Sequence, residues 1–320
     1  MEKEYFLGFD TSCYTTSVAV FDGSGIIRDE RIVLSVPAGS RGLRQSEALF
    51  QHVRNLPVLV EKACAELDVS RICGVAVSTA PTAREDSYMP VFLAGVLAAR
   101  TAASIHNVPL YRTCHQAGHI RAALYGNEAL LTGDPFLAIH LSGGTSDMLL
   151  VERDTESIFR VTPLGASTDL HAGQLVDRVG VLLGLGFPAG PHLEELAGMA
   201  EERDIRIPSS VRGLSCSFSG AETRAEQLLR DGVAREELAF AVYDLLARSL
   251  AKWISNASNE TGIREILVSG GVASSALLRE LLAQRMDANV HVRFGENRLS
   301  SDNACGIAML CHDFYTGRQA

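Results

Sequence analysis

Apolar positions along this chain come in runs, and the runs repeat. Residues 5–22, YFLGFDTSCYTTSVAVFD, align without a gap against residues 135–152, PFLAIHLSGGTSDMLLVE. Each stretch predicts an apolar strand, a turn of small hydroxyl residues and glycine, then a second apolar strand. The identities are few (Phe6/Phe136, Leu7/Leu137 and Ser12/Ser142 among them), so the shared feature is pattern. Such a turn offers backbone N–H groups and hydroxyls to an anion. Two of them predict a duplicated α/β fold with a ligand in a cleft between its halves.

The parallel continues. In the first half, 49–67 has helical periodicity and 72–81 reads as a buried strand ending in a Ser/Thr/Pro turn. In the second, 238–262 is a long amphipathic helix closing at Gly262, followed by strand and small-residue turn in 265–275. Segments 91–106 and 275–286 read as helices, and 108–113 and 289–294 as short strands. After each strand a polar turn opens another helix, in 114–125 and in 300–311. The alternation predicts an N-terminal lobe, 1–130, and a C-terminal lobe, 131–320, of one type. An insertion at about 153–235, richer in Gly, Pro, Ser and charge, is expected in the second lobe. It holds a helix in 170–186 and a loop, SCSFSGAET, at 215–223. The tail, 314–320, is expected to fray.

Composition narrows the function classes. Hydrophobic content of 47% and charged content of 21% give a globular chain with a sizeable core. A net charge of −9 excludes a broad basic nucleic-acid footprint, so any such substrate needs a local patch or a partner. Seven cysteines with no CxxC fit reduced thiols in the cytoplasm better than a disulfide framework. The start shows no signal-peptide pattern, and no apolar run reaches spanning length, so no membrane association is expected.

Three constellations carry chemistry. His115 and His119 are four apart in a helical segment, so both imidazoles share a face and could chelate one metal ion, unless they are two ordinary helix-start histidines. A zinc protease would need Glu after the first His, and that position is Gln116. Asp302 occupies the second-half turn matching the His115–His119 turn. It is either a third ligand from the opposite half or a helix N-cap worth about 1 kcal/mol. Two His and one Asp leave positions open for water or a substrate oxygen. Next, Leu141, Ser142, Gly143, Gly144 and Thr145 form a tight hairpin turn or an anion cradle. The matching Ser269-Gly270-Gly271 allows two turns to grip a nucleotide. His140, in register with Asp10 of the repeat, is a further candidate ligand or a buried, hydrogen-bonded histidine. Third, Asp177 could accept from ribose hydroxyls, with the Gly190-Pro191 turn along the sugar, or it could be an exposed acid paired with Arg178.

A strand and SGG turn, HxxGH, AG-x3-D, a GP turn, SFSG and SDNA occur here in one order. The order resembles the tRNA N6-adenosine threonylcarbamoyltransferase family, formerly called O-sialoglycoprotein endopeptidases, over roughly 5–315. The resemblance implies an actin/Hsp70/sugar-kinase-like (ASKHA) fold. It implies one divalent metal, iron or zinc, on His115, His119 and Asp302, with His140 where some members place a tyrosine that reaches the metal. It implies an adenylate held by the SGG segment, Asp177, Gly190 and the second turn, Gly270, Gly271 and Ser275. The implied reaction moves a threonylcarbamoyl group from its adenylate to N6 of the tRNA adenosine beside the anticodon, releasing AMP. Helper subunits are implied too: a small paralogue and an ATPase, with a homodimer as another arrangement.

The chain departs from that pattern at several points. Asp-Glu is replaced by Tyr14-Thr15, Gly-Pro-Gly by Ala80-Pro81-Thr82, and Asn by Ser275. Thr145 stands for His or Asn, Ser146-Asp147 for Thr-Gln, and Glu222 for Lys. The metal ligands survive better than the nucleotide and tRNA contacts. Alternatives are therefore a non-catalytic or regulatory paralogue, a carbamoyl transferase with another acceptor, and a kinase of the same broad fold.

Overall fold

The computed structural model describes residues 4–12, 14–36, 43–131 and 133–317. The first repeat runs β1 (Tyr5–Asp10), β2 (Thr15–Phe21), β3 (Ile26–Val33), α1 (Gln45–Cys64), β4 (Ile72–Ser78), α2 (Phe92–His106), β5 (Leu110–Thr113) and α3 (His115–Ala123). Then follow β6 (Phe136–Leu141), β7 (Ser146–Asp154), β8 (Ile158–Ala166), α4 (Ala172–Leu182), α5 (Gly190–Gly198), β9 (Ser210–Arg212), β10 (Ser215–Ser217) and α6 (Ser219–Arg230). The chain closes with α7 (Arg235–Thr261), β11 (Glu265–Ser269), α8 (Ala276–Ala283), β12 (His291–Phe294) and α9 (Cys305–Gly317).

Two five-stranded sheets have one topology. The first is ordered β3-β2-β1-β4-β5, the second β8-β7-β6-β11-β12. In each, the opening strand pairs antiparallel with the next (Phe9 with Val18, Ile139 with Met148). It also pairs parallel with the strand after the crossover (Phe9 with Val77, Ile139 with Val268). The duplication read from the hairpins is thus a duplication of whole sheets. Each has a further outer strand, antiparallel in the first sheet, that the pattern did not reveal. β3 is half-buried and charge-rich, IIRDERIV, so it lacks an apolar run. β8 carries Pro163 and falls inside the expected insertion, which therefore begins after 166 rather than at 153. SCSFSGAET is not a loop either: it is strand β10 and the first turn of α6. Residues 314–317 continue α9 instead of fraying, and 318–320 lie outside the described residues.

The chain forms two compact units. One contains the residues up to Tyr125, Asp154–Arg160 and those from Ser301 onward, and the other Gly126–Arg153 and Val161–Ser300. This differs from a division at 130, because the C-terminal helix belongs with the first sheet. Strand alternation explains how. In β1, Leu7 and Phe9 pack with Leu56 and Leu59 of α1 and with the alanines Ala94, Ala99 and Ala103 of α2. Phe6 faces the other way, its ring 5.0 Å from that of His312 and 5.3 Å from that of Tyr315, both on α9. Asp10 shares the face of Phe6. The second unit has its own core, in which Trp253 and Tyr243 of α7 are fully buried. As expected, α7 ends at Gly262 in the left-handed conformation, φ 78°.

Candidate metal centre and glycine turns

His115 opens α3 and His119 follows one turn later. The first N–H groups of this helix, on His115 and Gln116, donate to the carbonyls of Ala80 (2.9 Å) and Pro81 (3.0 Å). The Ala80-Pro81-Thr82 loop therefore satisfies the orphan donors of the helix that carries the histidines. Backbone contact then fixes α3 against α9. A Cβ added to Gly306 would lie 1.8 Å from the Gly118 carbonyl oxygen. Only glycine allows that approach, and it brings the loop before α9 beside the imidazoles.

In that loop Asn303 Oδ1 accepts the Cys305 N–H at the start of α9 (2.9 Å). This frees Asp302 from the capping role. Its carboxylate turns to the histidines: Oδ1 is 3.2 Å from His119 Nε2 and 3.6 Å from His115 Nε2. The two Nε2 atoms are 2.9 Å apart. Arg31 on β3 braces the loop, donating to Ser301 Oγ (2.8 Å) and to the Asp302 carbonyl (3.4 Å). All these groups lie in the first unit, so Asp302 does not come from the opposite half. Among the described residues, His115, His119 and Asp302 are the group that could hold a metal ion.

The donor set fits a cation. Bonds of about 2.1 Å at tetrahedral or octahedral angles separate neighbouring donors by about 3.0–3.4 Å. The separations here, 2.9, 3.2 and 3.6 Å, bracket that range. The electrostatics agree. Burial opposes charge on His115, but the Asp10 carboxylate and then Asp302 hold its pKa well above the ordinary histidine value. Burial likewise opposes charge on Asp302, and hydrogen bonds from both histidines bring it far below the usual carboxylate range. Two carboxylates thus favour positive charge on His115, which a divalent ion would supply instead.

Asp10 is the residue the sequence reading passed over, naming it only as a register partner. It is fully buried and meets His115 Nδ1 at 2.9 Å. Its signal was present: a carboxylate ending a strand that is otherwise apolar. Arg31 gave none, because β3 itself was not legible.

The second unit gathers the glycine turns. The turn after β6 is held by its own serine: Ser142 Oγ accepts from the N–H groups of Gly144 (3.2 Å) and Thr145 (3.1 Å). The start of α4 clasps it, with Gly173 N–H on the Ser142 carbonyl (3.1 Å) and Ala172 N–H on Ser146 Oγ (2.9 Å). Gly270, at φ +98°, lies against Leu141: a Cβ there would be 2.3 Å from the Leu141 oxygen, so the two turns touch. Gly143 and Gly271 face open space. Tyr14 is exposed, and Thr15 is a buried strand residue opposite Val33.

Several candidates already have partners inside the fold. Asp177 Oδ1 accepts the Ala189 N–H (2.8 Å) just before α5. Arg178 meets Glu222 of α6 at 3.0 Å. The Gly190 carbonyl accepts from the Tyr243 hydroxyl (3.0 Å). Ser275 caps α8 through Leu278 N–H (3.1 Å). His140 lies in this second unit, its Nδ1 3.2 Å from Ser269 Oγ. The SFSG serines, Ser217 and Ser219, donate to Asp169, which also takes the Phe218 N–H (2.9 Å). The six described cysteines are free thiols. No helix among the described residues is long and apolar enough to cross a membrane.

Known structures place the fold first. The chain is similar to component A of (R)-2-hydroxyglutaryl-CoA dehydratase from Acidaminococcus fermentans (TM-score 0.56, 15% identity, 98% of this chain and 99% of that one). It is similar also to a ROK family glucokinase from Streptomyces griseus (TM-score 0.55, 11% identity, 97% and 99%). HypF from T. kodakarensis matches over 100% of this chain and 49% of its own (TM-score 0.59, 14% identity). The protein is an α/β protein of the actin/Hsp70/sugar-kinase-like class.

Sequence comparison narrows this further. The profile of TsaD, tRNA N6-adenosine threonylcarbamoyltransferase, matches residues 36–309. A curated protein of that name from Thermus thermophilus is 35% identical over 97% of this chain and 91% of its own length. One from Nostoc punctiforme is 29% identical over 96% and 90%. The chain belongs to the tRNA N6-adenosine threonylcarbamoyltransferase family.

Proposed function

We propose that this chain transfers a threonylcarbamoyl group from threonylcarbamoyl-adenylate to N6 of the tRNA adenosine adjacent to the anticodon, releasing AMP. Family membership supports the transferase class. The convergence of His115, His119 and Asp302 is the observation that carries the metal-dependent form of the reading. These three residues would hold one iron or zinc ion. When bound, the ion would polarise the carbamoyl carbonyl and anchor the threonine carboxylate.

The remaining work falls to the chain's own groups. The turns at 142–145 and 270–271 would hold the adenylate, using backbone N–H groups such as that of Gly143. The other carboxylate oxygen of Asp177 and the Gly190 turn would bind its ribose. In the transfer, the N6 lone pair forms a bond to the carbamoyl carbon. The bond from that carbon to the phosphate oxygen breaks, its electron pair leaves with AMP, and the amine gives up a proton to solvent water. Fixed positioning of a weak amine against an activated carbonyl supplies much of the acceleration.

With a net charge of −9, tRNA binding would draw on a local patch or a partner. Phe50, Val53 and Val58 on α1 and Leu93, Leu97 and Ile105 on α2 are exposed apolar side chains of the first unit. They would suit a protein partner, such as a small paralogous subunit or a second copy.

The test is direct. The purified chain, with its helper subunits, receives threonylcarbamoyl-adenylate and unmodified tRNA, and modified adenosine is counted by mass spectrometry. Multiple turnover is expected, with His119→Ala lowering it by at least about 100-fold, as loss of a ligand should. Turnover undiminished in His119→Ala would reject the metal-dependent reading. A second reading, binding without turnover, draws support from Glu222, whose charge is spent on Arg178. Adenylate binding with no product from the wild-type chain would favour it.

A further inference from the structure

A metal-binding imidazole must offer a chosen nitrogen in a chosen direction. What fixes His115 is therefore a question separate from what it binds. Its ring is restrained on several sides. The Phe92 ring stands edge-on at 6.5 Å, and the His119 ring lies at 4.3 Å, nearly perpendicular. Phe92 is placed in turn by Thr11, whose hydroxyl donates to the Val91 carbonyl (3.0 Å) and accepts the Gly95 N–H (3.2 Å). The remaining contact is polar: Nδ1 meets Asp10 Oδ2 at 2.9 Å.

Asp10 is unusual among the acids of this chain. It is fully buried, and the side chains that hold it among the described residues are two serines and a histidine rather than an arginine or lysine. It accepts from Ser12 Oγ (2.8 Å), from the Ser78 hydroxyl and from His115. Burying a carboxylate against hydroxyls and an imidazole is costly, and a structural role alone does not call for it.

We propose that Asp10 is a positioning residue for the metal centre: held by Ser12 and Ser78, its carboxylate takes the Nδ1–H of His115 and so presents Nε2 to the ion. The inference rests on the reading of His115, His119 and Asp302 as metal ligands. The carboxylate also raises the electron density of the ring, which strengthens the bond that Nε2 can make. The ligand set is thereby extended inward to β1 and to Ser78 at the end of β4, two strands of the first sheet.

The experiment measures metal affinity, not activity. Metal-free wild type, Asp10→Asn, Ser78→Ala and His115→Ala are titrated with Zn(II) against a chromogenic chelator, and with Co(II) by visible absorption. Asp10→Asn is expected to bind about 10–100-fold more weakly, with an altered Co(II) spectrum. Ser78→Ala, which keeps the carboxylate but loosens it, is expected to lose roughly threefold. Wild-type affinity and spectrum in Asp10→Asn, with binding lost in His115→Ala, would overturn the role of Asp10 and leave the metal site standing. Unchanged affinity in His115→Ala would overturn both. Should Asp10→Asn fail to fold, the wild type still decides by NMR of the Zn(II)-loaded protein. A slowly exchanging proton on His115 Nδ1 supports the proposal, and zinc bonded to Nδ1 refutes it.

Discussion

The first unit assembles its candidate site from side chains whose polar atoms converge, while the second assembles its own from backbone. In the first, His115, His119, Asp302 and Asp10 point at one another, and the proton affinities of His115, Asp302 and Asp10 are shifted by their neighbours. In the second, the side chains expected at a nucleotide are already bonded inside the fold. Ser142 braces its own turn, Asp177 meets the start of α5, and Ser275 caps α8. What remains open there is glycine backbone. A side-chain site announces itself through residue type. A backbone site is legible only as a turn, and its polar side chains serve as scaffolding.

The contrast can be broken by substitutions, and the largest effect is expected where scaffolding is charged. Asp244, buried in α7, is held by Arg206 (2.7 Å), Arg248 (2.8 Å) and Arg285 (2.6 Å). Asp244→Ala should lower unfolding stability by roughly 3 kcal/mol, because breaking a buried pair leaves charge uncompensated. Metal affinity should stay at the wild-type value; a parallel fall would show that the two units do not behave separately. Urea unfolding and a chelator titration check both.

Next comes Gly306→Ala. Its methyl group would meet the Gly118 carbonyl, so α9 must move from α3, at about 1–3 kcal/mol. Here stability and metal affinity should fall together. A variant that is destabilised but binds metal normally would show that the helix contact does not position Asp302.

A third prediction concerns pH. His52 is wholly buried on α1, with Thr16 Oγ1 at 2.9 Å from Nδ1 and burial pushing its pKa down to about 4. Between about pH 6.5 and 4 the unfolded chain binds a proton there that the folded chain does not. Stability should thus fall as pH drops through that window, by up to about 1.4 kcal/mol per pH unit. His52→Gln should flatten this limb in unfolding curves collected across the window. An unchanged slope would remove His52 as its source.

The smallest effect is expected at Ser142→Ala. Releasing the N–H groups of Gly144 and Thr145 should cost about 1 kcal/mol of adenylate affinity, roughly fivefold, in calorimetry. A loss beyond 100-fold would mean that the hydroxyl touches the ligand itself, and the side-chain and backbone distinction would fail.

Much of this was legible in the sequence, for physical reasons that also explain the gaps. The strands β1 and β6 that open the two sheets showed because they are buried on both faces and so read as mostly apolar runs. The outer strands β3 and β8 did not, since half-buried edges carry charge and proline. His115 and His119 were found by helical spacing, and Asp302 by its place in the repeat. The repeat nevertheless assigned Asp302 to the wrong unit, because sequence order says nothing of which sheet α9 packs upon. Asp177, Ser142 and Ser275 were visible as polar residues at turns, but not the partners that occupy them.

The central claim is that one ion binds where α3 and the loop before α9 meet. Anomalous diffraction at the zinc edge, from crystals of the zinc-loaded protein, tests it most directly. The account predicts a single strong peak within about 2.0–2.2 Å of His115 Nε2, His119 Nε2 and an Asp302 oxygen. A fully loaded crystal whose peak lies elsewhere, with those three side chains joined only to each other, would contradict it.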